Sequence, residues 1–425
     1  MKHTEVVQHF HSVGNGTFKT GSILNFSEGK QFNWVYDCGS TSPSTLNRIF
    51  RDITTHRGWP CYIDMLVLSH FDDDHVNGIE TLLKHNHVKS LVLPFSKWTQ
   101  SVREISVLGK KGVSPSTALL QLNPLQWLAS RDFDVRVEEV VLVQGGSDRP
   151  SPVSDNFPSE DEPRAFSEGY FIFNQPSLPG TTTIKMMRHY HPIQHAKSDL
   201  EFVFYNAEKD FTELGLIVKK GGQWCAKKSG RLLTDVKADI QNTIENINLH
   251  NPFSAMPQGW RKTLKTCYEK HFGHTGKAKN NISLCMYTAP VRKDVSDFWI
   301  TSSSSMQNYP LHFAYPFYLR YPLFLTSRLA TLCTGDITLT SSVIADLKSH
   351  LGPQRWDNIG LIQVPHHGSQ HSWKCGNAAL LAPAQFLHCA SGTKHHPHPK
   401  VVKDLNGVVV HTADRTNGVS ISYII

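Results

Sequence analysis

Within six consecutive positions the chain carries His70, Asp72, Asp73, Asp74 and His75, five side chains that bind metal ions, between a hydrophobic run at 63–68 and a helix-like run from Ile79. His70 and Asp72, two apart on a loop leaving a strand, can point the same way, while Asp74 and His75 turn the other way. One short segment can therefore hold two cations. Such a pair is a hydrolytic device: it lowers the pKa of bound water from ~15.7 to about 7 and clamps both the attacking and the leaving oxygen. A solvated acidic turn would account for Asp72 and Asp73 alone, but not for two histidines in register with them.

The elements flanking this loop read as a scaffold for it. Residues 6–13, 22–26, 32–36 and 63–68 have strand patterns, and the turns Val13-Gly14-Asn15-Gly16 and Asp37-Cys38-Gly39-Ser40 carry glycines that let backbone pass close to a neighbour. A helix at 79–86 and a strand at 88–93 complete a β-loop-α-β unit, with the loop at the strand's C-terminal end, where open α/β sheets place their sites. Residues 116–131 read as a helix interrupted by Pro124, and 135–143 and 200–205 as strands. Residues 145–168, rich in Ser, Pro, Asp and Glu, read as a mobile loop, 211–279 as mainly helical and 291–327 as irregular. Strand patterns resume at 282–287, 328–333 and 359–364. The loops that follow present Thr334-Gly335-Asp336, Pro365-His366-His367-Gly368-Ser369 and Ala390-Ser391-Gly392, the first ahead of a helix at 341–350 and the last ahead of one at 400–405.

At 425 residues, 39% hydrophobic with nine Trp, the chain can bury a large core. No apolar run approaches a membrane span, the greasy stretch at 315–325 being interrupted by Arg320, and the N-terminus has no apolar signal core. The expectation is a cytoplasmic protein without membrane contact. Eight scattered cysteines with no C-x-x-C pair suit reduced, structural thiols. The net charge of +7 is local: residues 219–279 hold twelve Lys and Arg against four Asp and Glu. There Trp224 lies among Lys219, Lys220, Lys227, Lys228 and Arg231, and Trp260 precedes Arg261, Lys262 and Lys265. Charge mixed with stacking surface suits a phosphate backbone and its bases, although a solvated lysine-rich helix face has the same composition.

The ordered set of motifs resembles the metallo-β-lactamase fold hydrolases, and within them the C-terminal nuclease-like domain of ComEC-type DNA-uptake proteins. The matches are Val13-Gly14-Asn15-Gly16, Asp37-Cys38-Gly39-Ser40, Ser69-His70-x-Asp72-x-Asp74-His75-x-x-Gly78, Asn280-Asn281-x-Ser283-Leu284, Thr334-Gly335-Asp336, Val364-Pro365-His366-His367-Gly368-Ser369 and His396-Pro397, with Thr412-Ala413-Asp414 and Gly418-Val419-Ser420-Ile421 near the end. The resemblance implies an α/β fold, a four-layer αββα sandwich formed by the single domain 1–425. Segments 96–134, 146–196 and 291–327 would be irregular insertions, and 207–279 a basic, mainly helical one.

The resemblance also implies a site. His70 and Asp72 would hold one divalent cation and Asp74 and His75 the other, with Asp336 bridging and His366 completing the second, although either His366 or His367 can be that ligand. Asp74 would orient or deprotonate the attacking water; His367 or His396 would hydrogen-bond a non-bridging oxygen or protonate the leaving one. Ser369 and Ser391 would support them. Asp72 stands where the commoner motif has a histidine, and this hard oxygen ligand tilts the expected metal towards manganese or magnesium without excluding zinc. A further family histidine is missing near Asn281; His189, His191 and His195 are candidates to replace it but read as loop or surface residues.

These readings lead to a metal-dependent phosphodiesterase or nuclease acting on DNA. A small-molecule hydrolase for a cyclic nucleotide, phosphoester or lactone is the second reading, and a binding module with a degenerate site the third. Because an unrestrained DNase is toxic, control by a regulatory protein partner or a conformational gate is expected, as in an antiviral defence effector.

Overall fold

The computed structural model describes residues 4–25, 30–57, 62–108, 114–145, 170–173, 182–195, 200–207, 215–251, 256–274, 282–291, 296–303, 328–383, 385–393 and 395–425. Its strands, in chain order, are β1 (Thr4–Phe10), β2 (Phe18–Asn25), β3 (Lys30–Cys38), β4 (Tyr62–Val67), β5 (His87–Pro94), β6 (Val137–Gln144), β7 (Thr183–Arg188), β8 (Ile193–His195), β9 (Leu200–Asn206), β10 (Ile217–Lys220), β11 (Gln223–Ala226), β12 (Leu284–Pro290), β13 (Ser296–Ser303), β14 (Ala330–Cys333), β15 (Ile359–Gln363), β16 (Gln385–Cys389), β17 (Val409–Ala413) and β18 (Gly418–Ile424). A nine-stranded sheet runs β13-β18-β1-β2-β3-β4-β5-β6-β7, and a seven-stranded sheet runs β17-β16-β15-β14-β12-β9-β8. Both are mixed: β3 to β7 are parallel in the first, β14 to β17 in the second. The expected α/β class is therefore observed.

Strand alternation explains why the central strands are apolar throughout. In β3, Trp34 and Tyr36 face a core shared by both sheets, where Trp34 meets Phe202 edge-on with ring centroids 5.3 Å apart, while Val35 faces the opposite way. Both faces of these strands are covered, so a hydrophobic residue is needed at every position. Val35, Leu66 and Leu91 pack against Ile49, Leu82, Leu119 and Leu264 from helices outside the larger sheet. Val203, Leu332 and Ile362 pack against Ile344, Leu347 and Leu351 outside the smaller one. Two buried hydrogen bonds tie the sheets together, from Tyr36 Oη to the Leu284 carbonyl (2.8 Å) and from Gln363 Nε2 to Thr17 Oγ1 (2.9 Å).

Several expectations need correction. The segment 211–279 holds the helices Leu233–Asn246 and Trp260–Phe272, as expected of a mainly helical segment, and adds β10 and β11, a hairpin turned by Gly221 and Gly222, both at positive φ (54° and 81°), as a two-residue turn requires. Segments 146–196 and 291–327 are not wholly irregular. β7 extends the parallel run beside β6, and β13 pairs with β18. Both are edge strands organised by their pairing partners rather than by local pattern, although Met186 and Met187 of β7 are buried. Segment 96–134 is largely helical (Trp98–Arg103, Pro115–Leu122 and Pro124–Ala129). Asn123 ends one of these helices and caps the next, its side chain accepting from Gln126 N, while Pro124 takes the first helical position. The helix Pro43–Arg57 was not expected from the sequence. The expected mobile loop at 145–168 lies, apart from Gly145, outside the described residues, as do Asn280, Asn281 and residues 304–327. Among the described residues no helix is long and apolar enough to cross a membrane.

Candidate metal centre

Loops from the C-terminal ends of β3, β4, β14, β15 and β16 meet at one edge of the two sheets, as parallel strands make their sites. Close backbone approach brings them together. A Cβ on Gly39 would lie 2.4 Å from the backbone carbon of Asp74 and the nitrogen of His75, so only glycine lets the β3 turn rest on the metal loop. Gly335, at φ 53°, would likewise collide with Ser283 and Ser69. Asp37 (φ 56°), His366 (φ 50°) and His367 (φ 55°) all adopt the left-handed conformation. For non-glycine residues that conformation costs on the order of 1 kcal/mol each, so the surrounding contacts must hold them there.

Asp37 anchors the arrangement. Its Oδ1 accepts from the Ser69 backbone N–H (2.6 Å), and its Oδ2 accepts from Ser69 Oγ (2.7 Å) and His75 Nδ1 (2.7 Å). Because Ser69 Oγ donates its only proton to Asp37, it accepts from His70 Nδ1 at 2.9 Å. His367 Nδ1 donates to the Cys389 carbonyl at 2.8 Å. Three imidazoles thus hold their Nδ1 protons outward on oxygen acceptors, which directs each Nε2 inward, as in histidines that ligate metal.

The inward atoms face carboxylates. His75 Nε2 lies 3.1 Å from Asp336 Oδ1, His70 Nε2 3.7 Å from Asp336 Oδ2 and 3.8 Å from Asp72 Oδ2, and His367 Nε2 3.2 Å from Asp74 Oδ2. His70 Nε2 and His75 Nε2 are buried, yet neither contact has hydrogen-bond geometry. Two sets of donor atoms lie within 4.8 Å of one another: His70, His75 and Asp336, and Asp74, His75 and His367. Nitrogen and carboxylate donors crowded this closely fit divalent cations. A third set, Asp239, Cys267 and His271, differs, because Asp239 Oδ2 already binds His271 (2.8 Å), Lys270 (2.9 Å) and Arg231 (3.3 Å). That set is an ion-pair cluster.

Without metal the charges are strongly perturbed. Burial alone would lower the His75 pKa, but Asp336 and Asp37 outweigh it and raise it well above its usual value. Burial would raise Asp336, yet His366, His75 and His70 hold it well below the carboxylate range. Asp74 is likewise depressed against its burial, chiefly by the hydrogen bond and charge of His367 with the charge of His75. His70 is lowered by burial and by His75.

No protein-family model and no curated protein matches this chain.

The structure brings His70, Asp74, His75, Asp336 and His367 together, with Asp72 at the margin. His367, expected in a catalytic role, lies with Asp74 and His75. His366 instead presents Nδ1 to Asp336 Oδ2 (3.1 Å) and to Ser372 Oγ (3.2 Å). The His396 ring stacks on His366 at 5.9 Å with an interplanar angle of 6°, and its Nδ1 is buried without a hydrogen-bond partner. Burial and His367 lower its pKa. Ser391 binds Asn15 Oδ1 through both N and Oγ, and Ser369 Oγ accepts from His371 N, so these serines brace loops. His189 is not a surface residue: it is buried, accepts from Asn206 N at 3.1 Å and lies against His350 (ring centroids 4.3 Å apart) in neither donor set. In the sequence the Asp37 turn stands out for its glycine, and the role of its carboxylate is not visible there.

The basic segment reaches this edge. The helix Trp260–Phe272 packs on residues 98–108, and Arg261 near its start feels Asp73 and Asp72, whose charges oppose the lowering of its pKa by burial. Asp73 itself points away from the donor sets, accepting from Thr117 Oγ1 at 2.8 Å.

Proposed function

We propose that the chain is a metal-dependent phosphodiesterase acting on DNA, built as a four-layer αββα sandwich of the metallo-β-lactamase type and similar to its ComEC-like branch. Two sheets sharing a core, with apolar clusters between each outer face and its helices, support the architecture. The observation that carries the function is the set of three histidines whose Nδ1 atoms are tied outward and whose Nε2 atoms converge on Asp336 and Asp74.

His75 serves one cation only, since its Nδ1 is committed to Asp37. Asp74, His75 and His367 would hold one cation, and His70, Asp72 and Asp336 the other. Two divalent cations, manganese or zinc with magnesium as a further candidate, would supply Lewis acidity towards a phosphoryl group and acidify water. Asp74 would orient the attacking water by accepting its hydrogen bond. His367, whose Nδ1 is bound to the Cys389 carbonyl and whose Nε2 would face the cation, is a ligand in this reading rather than an acid. His396 remains: largely neutral near pH 7 because its pKa is lowered, it donates a hydrogen bond to a non-bridging phosphate oxygen. Arg261, beside Asp72 and Asp73, draws the polyanion to the mouth of the site. The test is cleavage of plasmid, linear and single-stranded DNA and of RNA with manganese. Cleavage of DNA is expected; intact polymers alongside hydrolysis of a small diester would refute the choice of substrate.

A further inference from the structure

The helix Trp260–Phe272 buries Leu264, Tyr268 and Phe272 and exposes Lys262, Thr266 and Lys270, each two positions from a buried residue and so on the far side of the helix. Its first turn carries Arg261 and Lys262. Its last turn, about 15 Å further along at ~1.5 Å per residue, receives the segment after the β10–β11 hairpin: Lys228 Nζ donates to the Glu269 carbonyl (2.9 Å) and Ser229 N to the His271 carbonyl (3.2 Å). The hairpin's base is packed on the core through Ile217 and Ala226, but its tip is not. There Trp224 is 43% exposed, directly across the ladder from Lys219, whose Nζ stands 5.9 Å from the indole centroid. Lys220 and Lys227 are exposed as well, and Lys219, Lys220, Lys227 and Lys262 form no ion pair among the described residues. A solvated lysine-rich face would need no tryptophan, and an exposed indole among cations is what stacks a base and neutralises its phosphate.

We infer that the hairpin tip around Trp224, with Lys219 and Lys220, is a stacking platform for single-stranded DNA. The inference rests on the phosphodiester reading for its substrate but not on turnover. A flipped or unpaired base offers the π-face that Trp224 needs, and a duplex keeps its bases stacked inside, so single strands are selected over duplexes.

The experiment is fluorescence anisotropy of a labelled oligothymidylate of about fifteen nucleotides, within the range of single-strand site sizes, titrated with the full chain in EDTA so that no cleavage occurs. Trp224→Ala is expected to weaken binding about tenfold, with Trp224→Phe recovering most of the loss. Lys219→Gln with Lys220→Gln should reduce the slope of log affinity against log salt by about 0.7 for each phosphate that is no longer neutralised. Hydrolysis of a small diester by Trp224→Ala should match wild type. Equal affinity of wild type and Trp224→Ala, or tighter binding of duplex than of single strand, overturns the platform while leaving the metal-centre reading standing. Trp224-dependent binding without hydrolysis of any diester supports the platform and defeats the catalytic reading.

Discussion

Asp37→Asn tests the geometry most sharply, because this one carboxylate sets the tautomer and aim of two imidazoles without lying in either donor set. It accepts three hydrogen bonds at 2.6–2.7 Å, from Ser69 N, Ser69 Oγ and His75 Nδ1. An amide at this position keeps one acceptor oxygen and turns an N–H₂ towards groups that themselves donate. Either His75 loses its acceptor or the Ser69 hydroxyl reverses and releases His70 Nδ1. Partners of this kind contribute about 10–100-fold in metal affinity, and removing a charge-assisted bond from a buried group costs roughly 1.5–3 kcal/mol. Calorimetric titration of manganese into the metal-free variant should show affinity reduced by that factor, and kcat/KM for a phosphodiester should fall at least as far. Circular dichroism would establish that the fold persists. Affinity and kcat/KM both within about twofold of wild type would refute the claim that Asp37 organises the centre.

Three further outcomes follow from the charges and burial. In the metal-free protein His75 has a raised pKa, so its stabilising contribution is complete below its unfolded value of 6.5 and disappears as pH rises through the raised one. Cation binding must displace that proton, so manganese affinity should climb with pH and binding should release protons, seen as a buffer-dependent calorimetric enthalpy; pH-independent affinity would contradict this. His396→Ala should lower kcat by about 100-fold with metal content unchanged, and reduced metal content instead would make His396 a structural support. Lys19 is fully buried, 3.3 Å from Cys333 Sγ, with its pKa lowered by burial. Lys19→Met should therefore raise the thermal midpoint, by an amount equivalent to about 1 kcal/mol or more, and a lower midpoint would reveal a required hydrogen bond.

Much of this was legible because the chemistry falls in short runs at strand ends. His70 to His75, Asp336 and His366-His367 each follow an apolar run, and the apolar runs became β4, β14 and β15. What sequence could not give was direction. Adjacent histidines differ only in which way the backbone turns, and the left-handed conformations of His366 and His367 bring the latter beside Asp74. Asp37 stayed hidden because its role depends on a partner 38 residues away. β7 and β13 are paired on one side only, so their strand character depends on β6 and β18 rather than on local alternation, and the short β10–β11 hairpin stands directly ahead of the helix Leu233–Asn246. The separation of sheet and helix was clear wherever burial on two faces demanded apolar residues.

The central claim, that paired cations held by Asp336 and the converging histidines drive phosphodiester cleavage, is tested most directly by the initial rate of DNA cleavage as manganese is titrated into metal-free wild type and Asp336→Ala. Wild-type activity should rise from baseline and saturate as two cations bind per chain, while Asp336→Ala stays at baseline with reduced metal uptake. Cleavage by Asp336→Ala at the wild-type rate, or wild-type cleavage that does not depend on added metal, would contradict the claim.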